Sequence, residues 1–118
     1  MTNQFSTYLL DEILLKEKIK RENLRRQLIE KVLSTLTKLS DKVSFKEAYL
    51  FGSIVNPNSF SEKSDVDIGF INLSDRDFFK TMAFISREIG IDVDVVQLEG
   101  HRLEEKIKDK GIRWIKKV

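Results

Sequence analysis

The sequence predicts a mixed α/β (α+β) fold, in which helices pack on a mixed β-sheet and a long N-terminal helix precedes the sheet. The hydrophobic periodicities give the order helix, strand, strand, helix, strand, helix. The link between the first two strands is too short for a crossover helix, so these strands do not form a plain βαβ unit. A length of 118 residues suits one compact domain with one core.

The composition excludes several classes of protein. Hydrophobic residues make up 41% and charged residues 34% of the chain, which is typical of a globular protein with a charged surface. No stretch approaches the roughly 20 apolar residues of a membrane span. The absence of cysteine excludes disulfides and zinc-thiolate sites. The N-terminus lacks the features of a signal peptide, so we expect a cytoplasmic protein with no membrane partner.

The first third of the chain predicts a long helix. Residues 7–39 contain neither glycine nor proline, and three acid-before-base pairs lie four residues apart. An apolar stripe begins at Leu28 and continues through Leu36, whereas the basic run from Lys16 to Arg26 is interleaved with glutamates. We interpret this run as a solvated face rather than a nucleic-acid site, and we expect it to project. Residues 1–42 are predicted to form an N-terminal extension and residues 43–118 the main domain.

The sheet is predicted from three segments. Residues 47–51 form a buried strand that ends at Gly52, and a loop with the only proline, Pro57, follows. Residues 65–73 and 91–98 alternate between apolar and other side chains, so each has one face toward the core.

Two further helices follow from apolar stripes and glycine stops. Ser74 and Asp77 resemble a capping box before a helix that ends at Gly90, and residues 103–110 form a second helix before Gly111. Trp114, in the segment after this helix, is expected to cover the core. The only histidine, His101, lies in a predicted loop and is assigned no role.

Asp65 and Asp67 are the strongest candidates for a metal site. Residues two apart on a strand point to the same side, with Cα atoms roughly 6–7 Å apart. Carboxylates this close repel each other unless a cation neutralises them. Mg²⁺ held by one or two carboxylates keeps positions open for substrate phosphates. The pair therefore indicates phosphoryl or nucleotidyl transfer.

A phosphate-binding turn and a third carboxylate complete the candidate site. Gly52 and Ser53 follow the first strand, where backbone N–H groups and a hydroxyl can bind phosphate oxygens. Asp92 and Asp94 fall on the same face of the third strand, so alternation alone leaves both open as the third carboxylate.

These motifs resemble the DNA polymerase β-like nucleotidyltransferases, and among them the minimal type that includes MNT-domain antitoxins. The similar segments are LFGSIVNPNSFSEKSDVDIGF and IDVDVV, and the likeness covers about residues 46–116. It implies a palm-type sheet and favours Asp94 over Asp92 as the third acidic residue. Relatives often continue Gly-Ser-x-Ala-Arg-Gly, whereas residues 54–57 here are Ile-Val-Asn-Pro.

The resemblance also implies residue roles. Asp65, Asp67 and Asp94 would be the catalytic residues and the ligands of two Mg²⁺ ions, and Asp94 would also help activate the attacking hydroxyl. Gly52, Ser53 and Ser64 would bind the nucleoside triphosphate.

The implied reaction transfers NMP, with AMP the first choice, to a hydroxyl. The implied acceptor is a HEPN-type toxin partner, and a homodimer is a further possibility. Two alternatives stay open: a catalytically weak antitoxin that neutralises a partner by contact, and a glycosyltransferase, for which the chain looks too short.

Overall fold

The computed structural model describes the backbone of residues 2–116 and the side chains of residues 7–116. Three α-helices and four strands follow one another in this part of the chain, with 3-10 turns at Gly52–Val55 and Asp75–Asp77. Their bounds are α1 Thr2–Leu39, β1 Glu47–Phe51, β2 Val66–Ile71, α2 Phe78–Ile89, β3 Val93–Gln97, α3 Glu104–Lys110 and β4 Ile112–Ile115.

The strands form one mixed sheet in the order β3-β2-β1-β4. β1 pairs antiparallel with both β2 and β4, whereas β2 and β3 are parallel. The connection from β2 to β3 contains α2, as a parallel pair requires a long crossover. The predicted mixed α/β fold with a long N-terminal helix is confirmed.

Alternation along the strands gives the sheet two different faces. One face carries the larger core, to which β1 contributes Leu50 and β2 contributes Phe70, and it packs against α1 and α2. The other face carries a smaller cluster that includes Tyr49 and Ile107 of α3. Because α3 is only seven residues long, it leaves part of this second face uncovered.

The fourth strand differs from the prediction, in which this segment only covers the core. Residues 112–115 pair with β1, and Arg113 Nε donates to Glu47 Oε2 at 2.8 Å. Four residues with an arginine among them are too short to display an alternation. Trp114 is buried as predicted: its ring packs 4.9 Å from that of Phe45, and its Nε1 donates to Thr37 Oγ1 at 3.1 Å.

The start of α2 also differs from the predicted capping box. Ser74 Oγ accepts from the N–H of Arg76 at 3.2 Å, and a 3-10 turn separates it from the helix. The end of α2 follows the prediction, since Gly90 adopts a left-handed conformation with φ 77°. None of the helices in the described residues is sufficiently long and apolar to cross a membrane.

Helix α1 has two halves in different surroundings. In its second half Val32, Leu36 and Leu39 are completely or almost completely buried. In its first half Leu15 and Ile19 are more than half exposed. The molecule measures 65 × 28 × 25 Å, and a helix of 38 residues spans about 57 Å. The second half of α1 belongs to the core of the main domain. The division of the chain at residue 42 stays a prediction.

Leu36→Ala and Leu15→Ala form a matched pair on one helix. Leu36→Ala is expected to lower the free energy of unfolding by about 2–5 kcal/mol, because it leaves a cavity in the core. Leu15→Ala should change it by less than about 0.5 kcal/mol, since the side chain is 58% exposed. Denaturant unfolding followed by circular dichroism measures both values. Similar losses in the two variants would contradict the assignment of the core to the second half of α1.

Candidate active site

Asp67 lies on an interior strand between two neighbours. In the antiparallel pair its backbone partner is Phe51 of β1, and in the parallel pair its partner is Asp94 of β3. Directly paired residues point to the same face of a sheet. The Asp67 and Asp94 carboxylates therefore lie side by side on the face that α3 only partly covers.

The structure separates the two candidates for the third carboxylate by position. Asp94 lies within β3, directly opposite Asp67. Asp92 precedes β3, and its backbone carbonyl accepts from the N–H of Val66 at 3.3 Å. Asp92 thus takes part in backbone pairing, whereas the side chain of Asp94 is brought to Asp67.

The electrostatics of Asp67 reflect this crowding. Its half-buried carboxyl has a raised pKa, mainly because burial disfavours the charged form and further because of the negative charges of Asp94 and Asp65. A hydrogen bond with the Asp94 carboxyl acts in the same direction. Two carboxyl groups can make such a bond only if they share a proton. The site therefore has an excess of negative charge that a proton or a cation must compensate.

Gly52 lies against Asp67 on the side opposite to Asp94. It follows β1, begins the 3-10 turn Gly52–Val55, and has φ 80°. A Cβ atom at this position would overlap Asp67 Oδ2 and lie 3.3 Å from Asp67 Cγ. Glycine is thus required here both by its backbone conformation and by the close approach of the carboxylate.

The two serines of the predicted phosphate site are placed differently. Ser53 is half-buried in the turn that begins at Gly52, and it directly follows the glycine that lies against Asp67. Ser64 helps to close its own loop, because its Oγ accepts from the N–H of Ser61 at 3.0 Å. Ser53 is thus adjacent in sequence to the residue that contacts Asp67, whereas the Ser64 hydroxyl holds the loop before Asp65.

A cavity of about 510 Å³ opens beside Gly52. Its wall is largely apolar and includes Phe51, Val55 and Leu103, and Lys106 and Lys110 of α3 add positive charge. Neither lysine was among the residues predicted for the site. Their spacing of four residues, on the same side of a helix as Leu103, was the available signal, but only the packing of α3 shows that this side faces Gly52.

Gly69 has a structural role. It lies on the carboxylate face of β2, and a Cβ atom there would lie only 3.2 Å from Leu98 Cδ1. The contact with Leu98 shows that it permits close packing.

The donor set suits a hard cation. Among the side chains of residues 7–116, no three potential ligands are already arranged to hold a metal ion. Mg²⁺ in phosphate chemistry commonly uses one or two carboxylates, with phosphates and waters completing its shell. The adjacent Asp67 and Asp94, with the charge of Asp65 nearby, match this requirement.

Gly52→Ala and Gly90→Ala test the close approach of Gly52 to Asp67. Both glycines have φ near 80°, but a Cβ atom at Gly90 would meet nothing within 4 Å. Each alanine should cost roughly 1–2 kcal/mol of stability for its backbone conformation. Gly52→Ala should cost more, and the excess should shrink in an Asp67→Ala background. If thermal unfolding shows equal losses of stability in the two variants, a side chain at position 52 does not clash with the Asp67 carboxylate.

Asp67→Asn should raise stability at neutral pH in the absence of metal. Because the folded pKa is raised above 3.8, the contribution of Asp67 to stability is complete below that value and is lost as the pH rises through the folded pKa. Thermal unfolding in EDTA should therefore show a higher Tm for the variant at pH 7 and a smaller difference at pH 3. A lower Tm for Asp67→Asn than for the wild type at pH 7 would contradict the raised pKa of Asp67.

Comparison with known proteins identifies the family of this chain. Residues 30–117 match the family described as "Polymerase beta, Nucleotidyltransferase". The solved structure of a candidate minimal nucleotidyltransferase is 25% identical, with a TM-score of 0.51, and the match covers 77% of this chain and 92% of that one. A candidate nucleotidyltransferase from Sulfolobus solfataricus is also 25% identical, with a TM-score of 0.41 and coverage of 84% and 83%. No curated protein gave a significant match. The chain belongs to the polymerase β nucleotidyltransferase family.

Proposed function

We propose that this protein is a metal-dependent nucleotidyltransferase that transfers NMP, with AMP the first choice, from a nucleoside triphosphate to a hydroxyl group. The observation that carries the proposal is the position of Asp67, with Asp94 opposite it and Gly52 against it. A carboxylate pair beside a glycine-led turn joins a cation-binding group to a phosphate-binding group.

The triphosphate is placed at the turn that begins with Gly52. The backbone N–H groups of the turn and the Ser53 hydroxyl bind phosphate oxygens, and Ser64 is a further candidate nucleotide-binding residue. The apolar wall of the adjacent cavity takes the base, and Lys106 and Lys110 compensate phosphate charge. This arrangement directs the α-phosphorus toward the carboxylates.

Asp65, Asp67 and Asp94 are the proposed ligands of two Mg²⁺ ions. When bound, Mg²⁺ neutralises phosphate charge and polarises the reacting oxygens. Asp67 and Asp94, which are paired side by side, would hold the cation between them, and Asp94 would also accept the proton of the attacking hydroxyl. The new O–P bond then forms at the α-phosphorus as the bond to pyrophosphate breaks.

A protein partner is the proposed acceptor. The first half of α1 exposes large apolar side chains around the helix, among them Tyr8, Leu10 and Leu15. Exposed apolar surface of this extent is typical of a protein interaction site. We assign this surface to a helical partner of the HEPN type, which would present a hydroxyl to the site. The alternative is a second copy of this chain, bound through the same surface as a homodimer.

The second candidate function is neutralisation of a partner by contact alone. The exposed apolar half of α1 also favours this function, and so does the turn after Ser53, which continues as Ile54, Val55, Asn56 and Pro57 without an arginine. Binding of nucleotide separates the two functions, since a contact module needs none.

Asp65→Asn, Asp67→Asn and Asp94→Asn should each lower NMP transfer by at least about 100-fold. A bound metal supplies several kcal/mol of stabilisation, and each ~1.4 kcal/mol is tenfold in rate. Asp92→Asn is the matched control and should keep activity within about threefold.

The assay uses α-³²P-labelled nucleotides, Mg²⁺ and a helical protein encoded beside this one. Label on that protein would identify the acceptor. Full activity in Asp67→Asn would refute the metal site, and no transfer of any nucleotide by the wild type would favour the contact module.

A further inference from the structure

Arg25 of α1 reaches the turn that carries the proposed phosphate-binding groups. Its Nη1 donates to the backbone carbonyl of Ile54 at 2.8 Å, across 29 residues of sequence. Ile54 lies in the turn Gly52–Val55, and its own side chain is fully buried. Only 13% of the Arg25 side chain is exposed. A charged donor with little access to water makes a strong hydrogen bond to a carbonyl.

Glu22 fixes the direction of the Arg25 guanidinium. Arg25 Nε donates to Glu22 Oε2 at 2.9 Å, and Arg25 Nη2 donates to Glu22 Oε1 at 2.8 Å. These two bonds leave Nη1 for Ile54. The bidentate pair lowers the pKa of Glu22 to about 2, so this carboxylate stays charged at every pH of physiological interest. The planar fork of arginine is suited to such a fixed bridge, and the point charge of lysine is not.

The turn is thereby held at two points. At its start, Gly52 fits against the Asp67 carboxylate without space for a side chain. Near its end, the carbonyl of Ile54 is bonded to Arg25. A glycine backbone can adopt many conformations, so Gly52 by itself does not fix the shape of the turn. The residues that follow it in the turn include no second glycine. A fixed carbonyl at Ile54 therefore restricts where the N–H groups of the turn can point.

We propose that Arg25 is a positioning residue for the active site. Through the Ile54 carbonyl it keeps the turn Gly52–Val55 in the conformation that binds the triphosphate, and it links α1 mechanically to the site. This inference rests on the proposed nucleotidyltransferase function, because it assigns the turn to phosphate binding.

Arg26 provides a matched control for Arg25. It is the next residue on the same helix and also donates to Glu22, at 3.1 Å, but its side chain is 73% exposed and its bond to Glu22 runs along the helix surface. Arg25→Met and Arg26→Met thus remove the same group from the same helix, and only the first removes the bond to Ile54. Arg25→Lys and Glu22→Gln keep a donor near Ile54 but loosen its orientation.

The test combines hydrogen exchange with kinetics. Amides of residues 53–56 should exchange about tenfold faster in Arg25→Met than in the wild type, and the KM for the nucleoside triphosphate should rise about tenfold. Arg26→Met should match the wild type within about twofold in both. The exchange rates and KM values of Arg25→Lys and Glu22→Gln should lie between those of Arg25→Met and the wild type. These two variants keep the test valid if Arg25→Met folds poorly.

Each outcome decides one claim. Equal exchange and equal KM in Arg25→Met and Arg26→Met would overturn the role of Arg25, and so would faster exchange with an unchanged KM. Absence of transfer by the wild type would instead refute the proposed function. Hydrogen exchange does not depend on turnover, so it would still show whether Arg25 holds the turn.

Discussion

Asp67 occupies an interior strand, and its carboxylate is confined from both sides. β3 brings Asp94 beside it, and the end of β1 brings Gly52 against it. Burial and two neighbouring negative charges raise the pKa of Asp67. A cation at the proposed site would relieve this repulsion, so the crowding that costs stability supports the proposed metal site. The sheet order β3-β2-β1-β4 is what makes the arrangement possible.

Helix α1 packs in the core, contacts the turn at the candidate site and exposes apolar side chains. Its second half buries Val32 and Leu36 under the sheet, and Arg25, about two turns before Val32, contacts the turn beside the carboxylates. The first half exposes apolar side chains. A partner that binds this first half would contact the same rigid helix that holds the turn. If both proposals hold, binding of a partner and the geometry of the site would be connected through α1.

Local patterns in the sequence were sufficient for most of the fold. Alternation located β2 and β3, a short buried segment before Gly52 located β1, and an apolar stripe with Gly90 located α2. The fourth strand has only four residues, and no local period can be seen over that length. Its pairing with β1 depends on contacts between residues more than sixty positions apart, such as that of Arg113 with Glu47. The fold class followed from the sequence, whereas the sheet edge did not.

The candidate site was predictable to a similar extent. Spacing identified Asp65, Asp67 and Gly52, but alternation placed Asp92 and Asp94 on one face and could not separate them. The parallel register of β2 and β3 made that distinction by placing Asp94 opposite Asp67. Arg25 and the two lysines of α3 reach the turn and its cavity only through tertiary packing. The spacing of the two lysines places them on one side of a helix, but the sequence does not show what that side faces, and nothing local links Arg25 to the turn.

A crystal structure with Mg²⁺ and a non-hydrolysable ATP analogue tests the central claim most directly. We expect Mg²⁺ on the carboxylates of Asp67 and Asp94, with Asp65 completing the set, and phosphate oxygens on the N–H groups of the turn that starts at Gly52. A nucleotide bound elsewhere, or bound at this turn with no metal on Asp67, would contradict the proposed site.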